Sequence, residues 1–137
     1  MQMAALRSSL PFSCVSGRDE FVSRWSDRVG EDAARLSVSS ARAIGLGGVL
    51  VPVWSVLFVI AHGSPALVAL ASVLVLVDVI LLTSGIVAQR RMFALLSQRF
   101  GTKVWFLNSP SLREGQFQAW CARHGVDPDR GRPAERP

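Results

Sequence analysis

The sequence predicts an all-α membrane protein, a two-helix transmembrane hairpin with amphipathic cytoplasmic helices on both flanks. Three observations carry this expectation. Between Arg42 and Asp78 no residue except His62 is acidic or basic, a run long enough to cross a hydrocarbon core of about 30 Å nearly twice. The run is broken once, at His62-Gly63-Ser64-Pro65, a connection so short that the two spans must be antiparallel neighbours. The basic residues lie outside the spans. Arg24, Arg28, Arg35 and Arg42 precede the first, Arg90, Arg91, Arg99 and Lys103 follow the second, and the connection carries no Arg or Lys. Positive charge favours the cytoplasmic side, so both termini are expected there.

In chain order, residues 1–15 show no sustained period and are expected to be irregular. Arg7 and Pro11 interrupt the apolar stretch that a cleaved signal would need. Over 16–40, Phe21, Val22, Trp25, Val29, Ala33 and Leu36 recur at helical spacing opposite charged residues, which predicts an amphipathic interfacial helix whose apolar face lies in the headgroups or packs on a partner. Residues 41–61 form the predicted first transmembrane helix, 62–65 the extracytoplasmic turn and 66–89 the second transmembrane helix. Ser64 is the expected N-cap, with Pro65 in the first helical position. Residues 90–101 continue as a cytoplasmic helical extension that Gly101 ends. Residues 102–125 comprise an interfacial segment around Val104-Trp105-Phe106-Leu107 and a C-terminal helix, with Ser111 and Glu114 as a capping box and Gly125 as its end. Residues 126–137, with three prolines, are the expected flexible tail.

The chain has 137 residues and a net charge of +5, but the charge reads as a topology signal, and no nucleic-acid partner is expected. Lys103 is the only lysine against an abundance of Arg, Ala, Val, Gly and Leu, a bias that fits a high-GC bacterial genome. The expected location is the bacterial plasma membrane. Cys14 and Cys121 both fall on the cytoplasmic side and are expected to be reduced thiols.

Helices in lipid associate through close backbone approach and polar contacts, so small residues mark the contact face. In the first span Ala41, Gly45, Gly48, Pro52 and Ser55 recur every three or four residues; in the second, Ser64, Ala71, Asp78 and Gly85 recur every seven. Folding the hairpin about Gly63 sets Ala71 opposite Ser55, Asp78 opposite Gly48, and Gly85 opposite Ala41. An ionised carboxylate at the depth of Asp78 costs at least about 2.5 kcal/mol, so a proton or a partner is expected there. Pro52 has no N–H and releases the carbonyl of Gly48. The expected contact is therefore a neutral Asp78 donating to that carbonyl and locking the hairpin. The alternative is an Asp78 that takes up and releases protons. A hairpin with glycines in its first helix and a carboxylate midway along its second resembles, over the hairpin alone, the rotor subunit of rotary ATP synthases. That family's polar cytoplasmic loop with Arg and Gln is replaced here by His62 to Pro65, and both flanks here are long.

Trp25, Trp105 and Trp120, with Arg42, Arg90 and Arg91, are the expected interfacial anchors. Trp54 lies inside the first span and is expected to pack against lipid or a neighbouring subunit. Cys121 and His124 match no standard zinc spacing, and neither a metal nor another cofactor is expected. His62 is expected to be a turn residue. The chain contains no HExxH, paired CxxC, GxSxG or Walker loop, and no catalytic residue is assigned.

The function this predicts is a non-catalytic accessory or assembly subunit of a larger bacterial membrane complex, respiratory or transport, with lipid and other membrane subunits as partners. A self-assembling, homo-oligomeric pore like the two-span phage holins is one alternative, and a proton-linked channel component using Asp78 is another. A third is an adaptor that recruits a cytoplasmic protein through 111–125.

Overall fold

A computed structural model describes residues 17–61 and 63–130. The expectations for residues 1–15, Cys14, His62 and the tail from residue 131 onward lie outside the described residues. Among the described residues the architecture is all-helical: α1 (Gly17–Val29), α2 (Glu31–Ile60), α3 (Pro65–Phe100), a single 3-10 turn (Phe106–Asn108) and α4 (Glu114–His124).

The helices α2 and α3 form the hairpin and are long and apolar enough to cross a membrane. Each is longer than its apolar stretch. The apolar window of α2 is only 6% buried within the chain and that of α3 11%, so most of their leucines, valines and isoleucines are exposed. Leu46, Val59, Leu76 and Ile80 are examples. The polar ends of the two helices, together with α1, the 102–113 segment and α4, build a second region, which we term the head.

The predicted helix over 16–40 is broken in two. Gly30 adopts φ 94°, a left-handed value that ends α1 and starts α2 one residue later. Its amide bonds the Ser26 carbonyl at 2.9 Å and its carbonyl accepts from Ala34 at 3.0 Å, so one glycine serves both helix ends. The chain turns back there, and α1 folds onto α2 and α3 instead of continuing along the axis. Arg99 of α3 fixes this turn by donating to the Arg28 and Asp27 carbonyls, each at 2.9 Å, at the C-terminus of α1. The helix that enters the apolar span therefore begins at Glu31, well before residue 41.

Ser64 N-caps α3 through its backbone, with no side-chain cap bond, and Pro65 stands in its first turn. Gly101, at φ 66°, ends α3 by bonding Ser97 O. The last helix also starts later than Ser111. Arg113 is the N-cap residue of α4, and Ser111 Oγ accepts from the Arg113 amide at 3.4 Å, so the Ser111–Glu114 capping box does not form.

Val22, Trp25, Val29, Leu96, Phe100, Phe117, Trp120 and Cys121 form the core of the head. Phe117 is fully enclosed, with its ring 5.6 Å from Trp25 and 5.9 Å from Phe100. Trp120 packs on Phe100 at 5.8 Å and donates its indole N–H to Asn108 O. An ion pair between Arg28 and Glu114 ties α1 to α4 across the outside.

Candidate functional site

Asp78 is the one acidic residue in the apolar stretch of either long helix, and the structure buries it to 3% exposure between α2 and α3. Its Oδ2 accepts a hydrogen bond from Trp54 Nε1 at 2.9 Å. Its Oδ1 is buried with no hydrogen-bond partner.

The geometry follows from the antiparallel arrangement. Side chains on a helix lean toward its own N-terminus. Trp54 on α2 and Asp78 on α3 therefore lean toward one another along opposite axes. Trp54 is half-buried and also meets Phe58 edge-on at 6.3 Å. Its placement is a packing role, as the sequence suggests, but against the chain's own carboxylate.

Below Asp78 the two backbones approach through reciprocal glycines. A Cβ on Gly47 would lie 2.6 Å from Leu82 Cδ2 and 2.8 Å from Asp78 Oδ1. A Cβ on Gly85 would lie 2.8 Å from Ile44 Cγ1. Each glycine thus receives a large side chain from the facing helix, Leu82 into Gly47 and Ile44 into Gly85. Small residues let helices approach in this way.

On α3 the predicted face meets α2: Ala71, Asp78 and Gly85 are buried and Ser64 is half-buried. On α2 the face differs. From Ser40 onward the buried positions of α2 are Ser40 and Gly47, with Trp54 on the same seven-residue repeat and Ala61 completing it at the turn. Ala41, Gly45, Gly48 and Pro52 are exposed and Ser55 half-buried; nothing lies within 4 Å of where a Cβ on Gly45 or Gly48 would stand. One residue of rotation is 100° around a helix, which carries the stripe off the interface. Accordingly Asp78 faces Gly47, not Gly48, and Gly85 meets Ala43 and Ile44, not Ala41. The expected bond from Asp78 to the Gly48 carbonyl gives way to the indole of Trp54.

The anchors divide. Trp25 at 4% and Trp120 at 2% exposure are core residues of the head, not headgroup anchors. Trp105 is exposed, as are its neighbours Phe106 and Leu107 on the 3-10 turn, while Val104 is buried beneath them. Asn108 shapes this turn, accepting from the Trp105 amide at 2.7 Å and donating to Lys103 O at 2.9 Å. Arg42, Arg90 and Arg91 are exposed where the apolar spans end.

Cys121 is enclosed in the head core, and burial pushes its thiol above the usual range, with the Asp127 charge adding to this and Arg28 opposing it. His124 stacks on Trp120 at 4.6 Å with Nδ1 2.9 Å from Trp120 O; a carbonyl only accepts, so Nδ1 carries the proton. That bond and the stacking account for both residues through packing. Among the described residues no three His, Cys, Asp or Glu side chains converge on a site that could hold a metal.

The site can hold two helices together through one hydrogen bond and two glycine contacts, and it retains one unused acceptor or protonation position on Asp78. No protein-family model matches this chain, and neither a curated protein nor a solved structure matches it.

Proposed function

We propose that the chain is a non-catalytic accessory or assembly subunit of a larger bacterial membrane complex, held in the plasma membrane by α2 and α3 with both termini in the cytoplasm. The observation that carries this reading is the open face of Gly45, Gly48 and Pro52. These residues point away from the chain's own hairpin, and no side chain fills the space above the two glycines. In lipid, a row of small residues is the surface on which another helix packs most closely. A hairpin that already spends Gly47 and Gly85 on its internal contact has a second such surface left over. The arginines at the polar ends of both spans support the orientation.

Affinity purification in a mild detergent tests the reading, with Gly45→Leu and Gly48→Leu as the decisive variants. Both are expected to lose co-purifying membrane subunits while the hairpin stays intact. A homogeneous ring of this chain alone would overturn the hetero-complex in favour of self-assembly. Recruitment through 111–125 is disfavoured, because Phe117, Trp120 and Cys121 of that segment are turned into the head core. The exposed Trp105, Phe106 and Leu107 are the better docking surface for a cytoplasmic partner.

A second reading, proton exchange at Asp78, is favoured by one observation, the buried Oδ1 without a partner. Asp78→Asn is its test. Intact assembly with lost proton-linked activity supports it, and unchanged activity removes it.

A further inference from the structure

Where the polar ends of α2 and α3 meet the apolar spans, a groove of about 490 Å³ opens between the hairpin and the head. Its floor is apolar, made by Phe21, Val38, Met92 and Leu112, and three arginines stand around it, Arg18, Arg42 and Arg113. They come from three separate parts of the chain, α1, α2 and the segment before α4. None of the three guanidinium groups has an ion pair or side-chain hydrogen bond among the described residues. Other arginines of the head are engaged: Arg24, Arg28 and Arg35 pair with glutamates, and Arg99 holds the end of α1.

The groove thus combines an apolar floor with uncompensated positive charge, and Ala41 and Arg42 place it where the apolar part of α2 begins. We propose that it binds one anionic phospholipid, with the phosphate among Arg18, Arg42 and Arg113 and the upper acyl chain on the apolar floor. Guanidinium groups suit this role because they stay charged and donate to phosphate in a planar fork. Basic pockets beside membrane helices on the cytoplasmic side are where lipid headgroups carrying phosphate are held. The site would join α1, α2 and the approach to α4, so a bound lipid would brace the head against the hairpin.

The proposal rests on the membrane reading above, and the experiment separates the two. The full-length chain is purified in a neutral detergent, titrated with phosphatidylglycerol or phosphatidylcholine, and examined by native mass spectrometry. One phosphatidylglycerol per chain is expected to be retained, and phosphatidylcholine is not. The paired substitution Arg18→Gln with Arg113→Gln leaves Arg42 in place and touches only exposed side chains. It is expected to weaken retention about 25-fold, from about fivefold for each of the two arginines near an anionic headgroup. Met92→Trp fills the groove without changing charge and is expected to abolish retention. Arg90→Gln with Arg91→Gln removes equal charge at the same level outside the groove and is expected to leave it unchanged. Equal retention of both lipids, or an equal loss on removing Arg90 and Arg91, would overturn the site. A chain that stays soluble without detergent would instead overturn the membrane reading.

Discussion

Phe117 and Gly47 occupy equivalent places in two regions that pack by opposite means. In the head, large rings are fully enclosed, and Phe117 is surrounded by Trp25 and Phe100. In the hairpin the closest contacts are made by residues with no side chain at all, while Val59 and Ile80 remain 71% and 67% exposed. A region folded by water hides its largest apolar groups. A region surrounded by lipid gains nothing by hiding them and holds together by backbone proximity and a polar bond. Both kinds of packing occur within α2 and α3, which change character along their length.

Phe117→Ala should break the comparison at the head first. Emptying so enclosed a ring costs about 3–5 kcal/mol, enough to open a small region of this kind. Limited proteolysis is expected to cut α1 and α4 rapidly, while far-ultraviolet dichroism retains the helix content of the hairpin. Equal loss in both regions would mean that hairpin and head are one cooperative unit.

The hairpin should answer to glycine substitution, and only on one face. Gly47→Ala puts a methyl group against Leu82 and Asp78 at separations that force something to move, for a cost of about 1–3 kcal/mol. Gly48→Ala meets nothing within 4 Å and is expected to change hairpin stability by less than about 0.5 kcal/mol. Opening of the hairpin under a denaturing detergent, followed by Trp54 fluorescence, measures both. A Gly48 variant as damaging as the Gly47 variant would mean that the Gly48 face is the one buried.

This pair also shows what could be read in the sequence. The long apolar helices were legible because their length and lack of charge leave few alternatives, and the α3 face was legible because its small residues and its only carboxylate share one seven-residue repeat. The α2 face was not. Glycines at 45, 47 and 48 offer two rotations, and counting small residues selects the longer stripe through Gly48. What selects the other is a large residue, Trp54, whose N–H is needed by Asp78. The repeat Ser40, Gly47, Trp54, Ala61 carries that signal, but a tryptophan conceals it in a search for small side chains. In the head, Trp25 and Trp120 looked like headgroup anchors because a lone amphipathic helix near a membrane has the same pattern as one folded into a core. The difference lies at Gly30, whose left-handed backbone folds α1 back.

Trp54→Phe sharpens the hairpin further by keeping the ring and deleting the donor. An interhelical bond in a membrane is worth about 0.6 kcal/mol on average and about 1.7 at most, so the loss should be smaller than for Gly47→Ala. The double variant with Asp78→Asn measures the coupling between the two side chains. Additive losses would show that the indole contributes by packing alone.

The smallest effect belongs to Cys121, the head's counterpart to Asp78 as a buried ionisable group. Its folded thiol titrates above the usual range because burial and Asp127 disfavour the thiolate. The native head therefore binds this proton more tightly than the unfolded chain does. Stability from this source is complete below the usual thiol range and is lost as pH rises through it toward the folded value. In a Cys14→Ser background, alkylation of Cys121 should be slow at neutral pH and rise steeply once Phe117→Ala opens the core. Head stability in the parent should decline at alkaline pH, and Cys121→Ala should remove that part of the decline. Fast labelling of the intact chain at neutral pH would show that the head opens on its own while the hairpin remains formed.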